Sequence, residues 1–135
     1  MLYFAYGSNL NHHQMKNIRC SGSKFLKSFN LKNYKMIFAH PNNTNKYGYA
    51  NVVKQKGFKV AGAIWKITKS HELILDGYEQ FPDVYQKEYF SLKGEKIMFY
   101  IMKKYFKKSP PKIYVETINK GYEDCDIDLK INYKF

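Results

Sequence analysis

The first ten residues constrain the fold more than any other part of this 135-residue chain. The short apolar run from Leu2 to Tyr6 predicts a buried strand, and it stops at Gly7. Glycine accepts backbone angles that a residue with a Cβ resists, and the side chains of Ser8 and Asn9 can hydrogen-bond neighbouring backbone groups. A tight turn is therefore predicted directly after the first strand.

A helix is predicted to follow this turn over residues 11–18, with Asn9 or Asn11 as its N-cap. A strand, a glycine turn and a helix start leave several backbone N–H groups free at the end of a sheet. Such a loop can bind a carboxylate or a phosphate. An ordinary strand-to-helix connection has the same spacing, so the turn by itself does not establish a binding site.

The rest of the chain predicts a single domain over residues 1–135, dominated by short strands. The small residues between Val60 and Trp65 indicate a strand against which another backbone packs closely. We expect an α+β fold, a small mixed β-barrel that is closed or nearly closed, with a few flanking helices. The predicted strands lie at 24–30, 34–39, 49–53 and 59–67, with turns at 30–33 and at Gly57. A helix capped by Thr68 or Ser70 follows, and then a hairpin of 85–92 and 95–102. A last helix is predicted after Ser109-Pro110-Pro111, where the apolar residues at helical spacing are Ile113, Val115, Ile118 and Tyr122.

The formal net charge of +12 raises the question of a nucleic-acid partner. Most lysines are spread along the whole chain, and Arg19 is the only arginine. Because arginine provides the bidentate contacts to bases and phosphates, its scarcity argues against nucleic-acid binding. The densest basic cluster contains Lys103, Lys104, Lys107, Lys108 and Lys112.

Other partners and compartments are constrained by what the sequence contains. No apolar run reaches the roughly 20 residues of a membrane helix, and no signal sequence is apparent, so we expect a cytoplasmic protein without membrane contact. Cys20 and Cys125 are far apart and are interpreted as structural thiols. The four histidines are scattered, so we expect no metal site. A homodimer is left open.

Glu79 is the strongest candidate for a catalytic residue. It follows a predicted helix and lies between Tyr78 and Phe81, which predicts apolar surroundings. Desolvation raises the pKa of a carboxyl group towards neutrality, where it exchanges protons most effectively. On local sequence alone, a solvated glutamate at a helix end is the simpler interpretation. Asp76 is a weaker candidate for the same reason.

Three segments resemble those of the γ-glutamylcyclotransferase family, in the family's order and over almost the whole chain. Residues 3–10 (YFAYGSNL) look like its signature loop. Residues 75–79 (LDGYE), with Tyr85 downstream, are similar to its catalytic-glutamate segment. Residues 100–105 (YIMKKY), followed by 109–111 (SPP) and Tyr114, resemble its closing strand and final helix.

This resemblance implies a mixed barrel with one pocket and a small γ-glutamyl substrate. Glu79 matches the general acid–base residue of the family, and Tyr114 matches a tyrosine that hydrogen-bonds the γ-glutamyl group. Tyr85 and Tyr100 are further candidates to line the cavity. The substrate-binding loop corresponds to Tyr6, Gly7, Ser8, Asn9 and Leu10.

The implied reaction is an intramolecular ring closure. The α-amino group of the substrate attacks its own γ-amide carbonyl, which yields 5-oxoproline and a free amine, and Glu79 moves the proton. Loop N–H groups would hold either the α-carboxylate or the developing oxyanion. No metal, cofactor or covalent nucleophile is implied, and Ser8 lacks a GxSxG context.

The resemblance leaves several alternatives open. The substrate is a γ-glutamyl amino acid, a γ-glutamyl amine or the γ-glutamyl unit of glutathione. A γ-glutamylamine cyclotransferase is the second enzymatic hypothesis, and Ser8-Asn9 after Tyr-Gly argues mildly against it. A non-catalytic binding module that retains the pocket is the third, and the presence of Glu79 argues against it.

Overall fold

The computed structural model describes residues 1–133. Within that range the strands are β1 (Leu2–Ala5), β2 (Lys24–His40), β3 (Tyr49–Lys66), β4 (Gln86–Leu92), β5 (Glu95–Ile101) and β6 (Phe106–Lys107). The α-helices are α1 (Lys69–Tyr78) and α2 (Lys112–Asp124), and β1 is followed by a 3-10 turn (Ser8–Leu10) and a π-helix (Gln14–Arg19). The single-domain prediction for residues 1–135 includes positions 134 and 135, which lie outside the described residues.

The six strands form one curled sheet in the order β4-β5-β1-β3-β2-β6. The pair β1–β5 is parallel, and all the other neighbouring pairs are antiparallel. The sheet curls into a half-barrel with few helices, so the predicted α+β class and mixed barrel architecture are confirmed. Strand β1 lies near the centre of the sheet, and its carboxyl end leads directly into the loop of interest.

Alternate side chains of β1 belong to two different hydrophobic clusters, as the period of two in a strand requires. Tyr3 and Ala5 belong to the cluster that also contains buried residues of α1 and α2. Phe4 and Tyr6 belong to the cluster on the other face of the sheet. Since both faces are covered, β1 reads as a continuous apolar run.

The helix predicted over residues 11–18 is present but has a different geometry. A short helical start at residues 12 and 13 continues as a π-helix from Gln14 to Arg19. The Oδ1 atom of Asn11 accepts a hydrogen bond from the Gln14 backbone N–H at 2.9 Å, as an N-cap does. Of the two predicted caps, Asn11 is therefore the one that is used.

The prediction of four short strands in residues 24–67 is wrong, because β2 and β3 are single long strands. They pair along most of their length, and opposite Asn33 the strand β3 inserts residues 55–58. Asn33 and Gly57 have φ angles of 66° and 88°, and the Gly57 N–H donates to Asn33 Oδ1 at 3.2 Å. The predicted turns at 30–33 and Gly57 are thus one irregularity within a continuous ladder.

The remaining elements follow the predictions closely. Thr68 caps α1, and its hydroxyl accepts a hydrogen bond from the His71 backbone N–H at 3.1 Å. Strands β4 and β5 form a hairpin through Lys93 and Gly94, which both have positive φ angles, 50° and 80°. In α2 the residues Val115, Ile118 and Tyr122 are buried, whereas Ile113 is 76% exposed and does not belong to the core face.

No helix within residues 1–133 is long and apolar enough to cross a membrane.

The predicted close approach of a backbone to the Val60–Trp65 run is confirmed at Gly62. A Cβ atom on Gly62 would lie 2.5 Å from the Ala5 carbonyl oxygen and from the Phe4 ring.

Candidate active site

A cavity of about 490 Å³ lies where the loop after β1, the end of α1 and the start of α2 meet. Glu79 and a set of tyrosines supply most of its functional groups. Six of the seven residues predicted for the site line this cavity: Tyr6, Gly7, Ser8, Asn9, Glu79 and Tyr114. The tyrosines Tyr3, Tyr85 and Tyr100 line it as well.

Glu79 is positioned by the C-terminus of α1. Its backbone N–H donates to the Leu75 carbonyl at 2.8 Å, which fixes the residue at the last helical turn. Within residues 1–133, no hydrogen bond or ion pair reaches its carboxylate. Burial raises the pKa of Glu79 to about 7, and the positive charge of Arg19 offsets only part of this effect. The carboxyl group can therefore both accept and return a proton near neutral pH.

The loop after β1 provides backbone donors, but fewer than its length suggests. The Leu10 N–H donates to the Gly7 carbonyl at 3.1 Å, and the Asn11 N–H donates to the Ser8 carbonyl at 3.0 Å. Gly7, Ser8 and Asn9 donate no N–H to any backbone carbonyl of the described residues. Three N–H groups thus stay available for a ligand.

Side chains hold this loop in a single arrangement. Asn9 is buried, and its Nδ2 donates to the Tyr3 hydroxyl at 3.0 Å. Gln14 Nε2 donates to both Ser8 Oγ and Asn9 Oδ1, each at 2.9 Å. Since these side-chain groups are paired with one another, Ser8 and Asn9 support the loop, and both residues line the cavity.

Gly7 is required by close packing rather than by a special backbone angle. Its φ angle is −112°, so it does not adopt the left-handed conformation that the sequence suggested for the turn. A Cβ atom at this position would lie 3.0 Å from Ala50 Cβ and 3.1 Å from the Tyr114 hydroxyl. Because Gly7 has no side chain, the loop packs directly against Tyr114.

Tyr114 is placed by α2 with its hydroxyl next to the loop. Its oxygen accepts the Ala50 backbone N–H at 2.9 Å, and its ring packs edge-on against Tyr49 at 5.0 Å between centroids. Burial raises the pKa of Tyr114 above its ordinary value. The hydroxyl therefore keeps its proton and can donate it to a ligand.

Three more tyrosines use their hydroxyls to build the cavity wall. The Tyr6 hydroxyl donates to the Tyr100 carbonyl at 2.6 Å, and the Tyr85 hydroxyl donates to the Ala50 carbonyl at 2.7 Å. The Tyr100 hydroxyl donates to Asp76 at 2.6 Å. Asp76 is therefore occupied by a structural contact, and Tyr6 fixes the wall through its own side chain.

Leu10 is the one predicted site residue that does not line the cavity. Its side chain is fully buried and packs under α2, where Gly121 lies close enough that an added Cβ would be 2.5 Å from Leu10 Cβ. Its carbonyl also accepts a hydrogen bond from the Cys125 thiol at 3.4 Å. Leu10 anchors the loop to the core, and its N–H is already used.

Sequence reasoning missed Arg19 as a site residue. The residue lines the cavity, and one of its guanidinium nitrogens donates to Asn9 Oδ1 at 2.9 Å. Its guanidinium carbon lies 4.2 Å above the centre of the Tyr78 ring. The sequence did contain a signal for this residue, because Arg19 is the only arginine among 23 lysine and arginine residues.

Comparison with known protein families gives one match that spans most of the chain. Residues 3–120 match the family described as gamma-glutamyl cyclotransferase, AIG2-like. The matched segment contains the loop, α1, the hairpin and most of α2, and hence every residue of the candidate site.

Individual proteins similar to this chain include two that are named as gamma-glutamyl cyclotransferases. A gamma-glutamylcyclotransferase from Bos taurus is 34% identical over 82 residues, which cover 58% of this chain and 43% of the bovine protein. The match thus spans less than half of that relative. A solved gamma-glutamyl cyclotransferase structure superposes with a TM-score of 0.80 at 25% identity, covering 95% of this chain and 81% of its own. An uncharacterized protein from Homo sapiens has the same fold, with a TM-score of 0.80 at 23% identity over 99% and 90% of the two chains.

Proposed function

The chain belongs to the gamma-glutamyl cyclotransferase, AIG2-like family, and on that premise we propose that it is an enzyme that closes a γ-glutamyl compound into 5-oxoproline. The amine attached to the γ-carbonyl is released in the same reaction. The substrate binds in the cavity between the loop after β1, Glu79 and Tyr114. The reaction is an acyl transfer within one molecule, in which the substrate's own nitrogen is the acceptor.

One observation carries this proposal: Glu79 is a carboxyl group without a partner in the described residues, and it faces a cavity that also contains three free loop N–H groups. A buried structural carboxylate would be paired with a cation or several donors. An acid–base residue instead needs a pKa near the working pH, and the pKa of about 7 at Glu79 has this property.

The steps balance with Glu79 as the single proton carrier. Its carboxylate accepts a proton from the α-amino nitrogen as this nitrogen attacks the γ-carbonyl carbon. The new C–N bond closes a five-membered ring, and the carbonyl oxygen gains negative charge. As the original amide bond breaks, protonated Glu79 returns the proton to the departing nitrogen. Because both reacting groups belong to one molecule, the cavity acts mainly by folding the substrate into the cyclisation geometry.

The loop and Tyr114 supply neutral donors for the negatively charged oxygens. The N–H groups of Gly7, Ser8 and Asn9 bind the α-carboxylate or the developing oxyanion. The Tyr114 hydroxyl lies beside Gly7 and donates its proton to the γ-glutamyl group. Leu10 takes no direct part, since its N–H is bonded to the Gly7 carbonyl.

The test is release of 5-oxoproline from a panel of γ-glutamyl amino acids, γ-glutamyl amines and glutathione, with wild-type protein and Glu79→Gln. The glutamine has the size of glutamate but cannot carry the proton. We expect turnover by the wild type and a loss of about 10²- to 10⁴-fold in kcat for the variant, the usual contribution of a general acid–base residue.

Glu88→Gln is the matched control, since it removes a carboxylate in β4 that does not line the cavity. Its rate should stay close to that of the wild type. Equal release by wild type and Glu79→Gln would exclude Glu79 from the mechanism. If the folded wild type turned over none of the compounds but bound them, the protein would be a binding module.

A further inference from the structure

Arg19 is a permanent cation that lines the cavity and has no ion-pair partner among residues 1–133. No carboxylate of residues 1–133 lies within ion-pair distance of its guanidinium. The other residues lining the cavity include no lysine. An arginine that serves only the fold at a partly buried position normally pairs with a carboxylate.

The guanidinium is fixed in place by two neighbours that leave most of its donors free. Asn9 Oδ1 accepts one N–H, and the Tyr78 ring supports the flat face of the group at 4.2 Å. Asn9 itself is held by Tyr3 and Gln14. An arginine has five N–H donors in a planar fork, so the remaining four can meet a carboxylate in the bidentate geometry.

Arg19 stands where the cavity meets solvent, since its stacking partner Tyr78 is 50% exposed. The loop N–H groups and the Tyr114 hydroxyl are neutral donors, and Gly7 meets the Tyr114 hydroxyl beside buried Ala50. Glu79 is close enough to interact electrostatically with both Arg19 and Tyr114. The cavity therefore offers two kinds of donor for negatively charged oxygens: the charged guanidinium of Arg19, and the neutral loop and tyrosine donors.

We infer that Arg19 binds the carboxylate of the departing amino acid and thereby selects γ-glutamyl amino acids over γ-glutamyl amines. This inference rests on the proposed function. A γ-glutamyl amino acid has two carboxylates, whereas a γ-glutamyl amine has only the one on its glutamyl carbon. The loop donors serve the γ-glutamyl group that all these substrates share, and the solvent side of the cavity receives the group that leaves.

The test compares two substrates that differ by a single carboxylate, γ-glutamyl-alanine and γ-glutamyl-ethylamine. For Arg19→Met we expect kcat/KM for γ-glutamyl-alanine to fall about tenfold to a hundredfold, mainly through KM, as for the loss of charge-assisted hydrogen bonds. The value for γ-glutamyl-ethylamine should change much less. Arg19→Lys keeps the charge without the fork and should give an intermediate preference.

The ratio of the two kcat/KM values is the decisive quantity. Removal of Arg19 also changes the electrostatic environment of Glu79, but this change affects both substrates and cancels in the ratio. Lys16→Met is the matched control, because it removes an exposed positive charge from the same π-helix. The control should leave the ratio unchanged.

Direct binding gives a second test that does not depend on folding of an Arg19 variant. Calorimetry with Glu79→Gln, which retains Arg19, should show γ-glutamyl-alanine binding about tenfold or more tightly than γ-glutamyl-ethylamine. Equal affinities, or an unchanged substrate ratio in Arg19→Met, would overturn the role of Arg19 and leave the proposed function intact. If the wild type turns over neither compound nor any other of the panel, the proposed function fails and this inference fails with it.

Discussion

A glutamate lies at each end of α1, Glu72 buried and Glu79 partly buried, and the two have opposite surroundings. Glu72, in the first turn, accepts hydrogen bonds from Lys69 Nζ at 2.9 Å and from Lys87 Nζ at 2.8 Å. Burial raises the pKa of Glu72, but the hydrogen bonds and charges of Lys87 and Lys69 outweigh it, so the pKa lies below its ordinary value. Glu72 is a structural anion that fixes α1 to β4.

Glu79, at the other end, has no cation within ion-pair distance among residues 1–133. Lys87 reaches Asp76 as well as Glu72, at 3.0 Å, but it does not reach Glu79. Burial therefore dominates, and the pKa of Glu79 rises to about 7. The comparison teaches that burial alone does not decide what a carboxyl group does. In these two glutamates, the direction of the pKa shift depends on whether a neighbouring strand supplies a positive charge.

The largest effect that tests this comparison is a pH dependence of stability with opposite sign for the two residues. An unfolded glutamate titrates near 4.5, and Glu79 in the fold titrates near 7. As the pH rises between these values, the unfolded chain ionises first, so the wild type loses stability relative to Glu79→Gln. This relative loss in the free energy of unfolding is on the order of 3 kcal/mol.

Glu72 should behave in the opposite way. Its pKa is lowered in the fold, so the stability that it contributes is present above the unfolded value and is lost as the pH falls through the folded value. Urea unfolding of wild type, Glu79→Gln and Glu72→Gln from pH 3 to pH 8 measures both effects. Parallel curves for the two variants would contradict the assignment.

A smaller effect is expected from removing the cation that distinguishes the two ends. The side chain of Lys87 is 14% exposed and bridges Glu72 and Asp76. Lys87→Met should lower the free energy of unfolding by about 2 kcal/mol, less than for a fully isolated buried ion, because Lys69 and Tyr100 still donate to the two carboxylates. Chemical denaturation at pH 7 measures it, and a change below 0.5 kcal/mol would argue against the bridge.

The smallest effect should come from the other partner of Glu72. Lys69 has a side chain that is 79% exposed, and exposed ion pairs contribute less than about 1 kcal/mol. Lys69→Met should therefore change the free energy of unfolding by about 0.5 kcal/mol or less. A loss as large as that of Lys87→Met would show that the solvent-exposed pair, rather than the bridge to β4, fixes Glu72.

Local sequence was sufficient for those parts of the fold that local chemistry determines. The Lys93-Gly94 turn was predicted correctly, and Thr68 is one of the two caps predicted for α1, because both features depend on residues within a few positions. The long strands were missed because Asn33 and Gly57 adopt positive φ angles in a bulge just as they would in a turn. Only the partner strand distinguishes these two cases.

The candidate site shows the same limit. The positions of Tyr6, Glu79 and Tyr114 around one cavity agree with the sequence motifs. Leu10 does not line the cavity because its side chain is buried against α2, and its N–H donates to the Gly7 carbonyl within the 3-10 turn. Local sequence likewise cannot tell Glu79 from Glu72, since the lysine that distinguishes them comes from β4.

The tyrosine hydroxyls that hold Ala50 have a consequence for solubility. Strand β1 covers only residues 63–66 of β3, so at Ala50 no described strand pairs with that side. The hydroxyls of Tyr114 and Tyr85 occupy its N–H and carbonyl groups instead. An open strand edge is a template on which a second molecule can add its own strand and begin to aggregate. The wall of the cavity thus also prevents edge-to-edge association at this position.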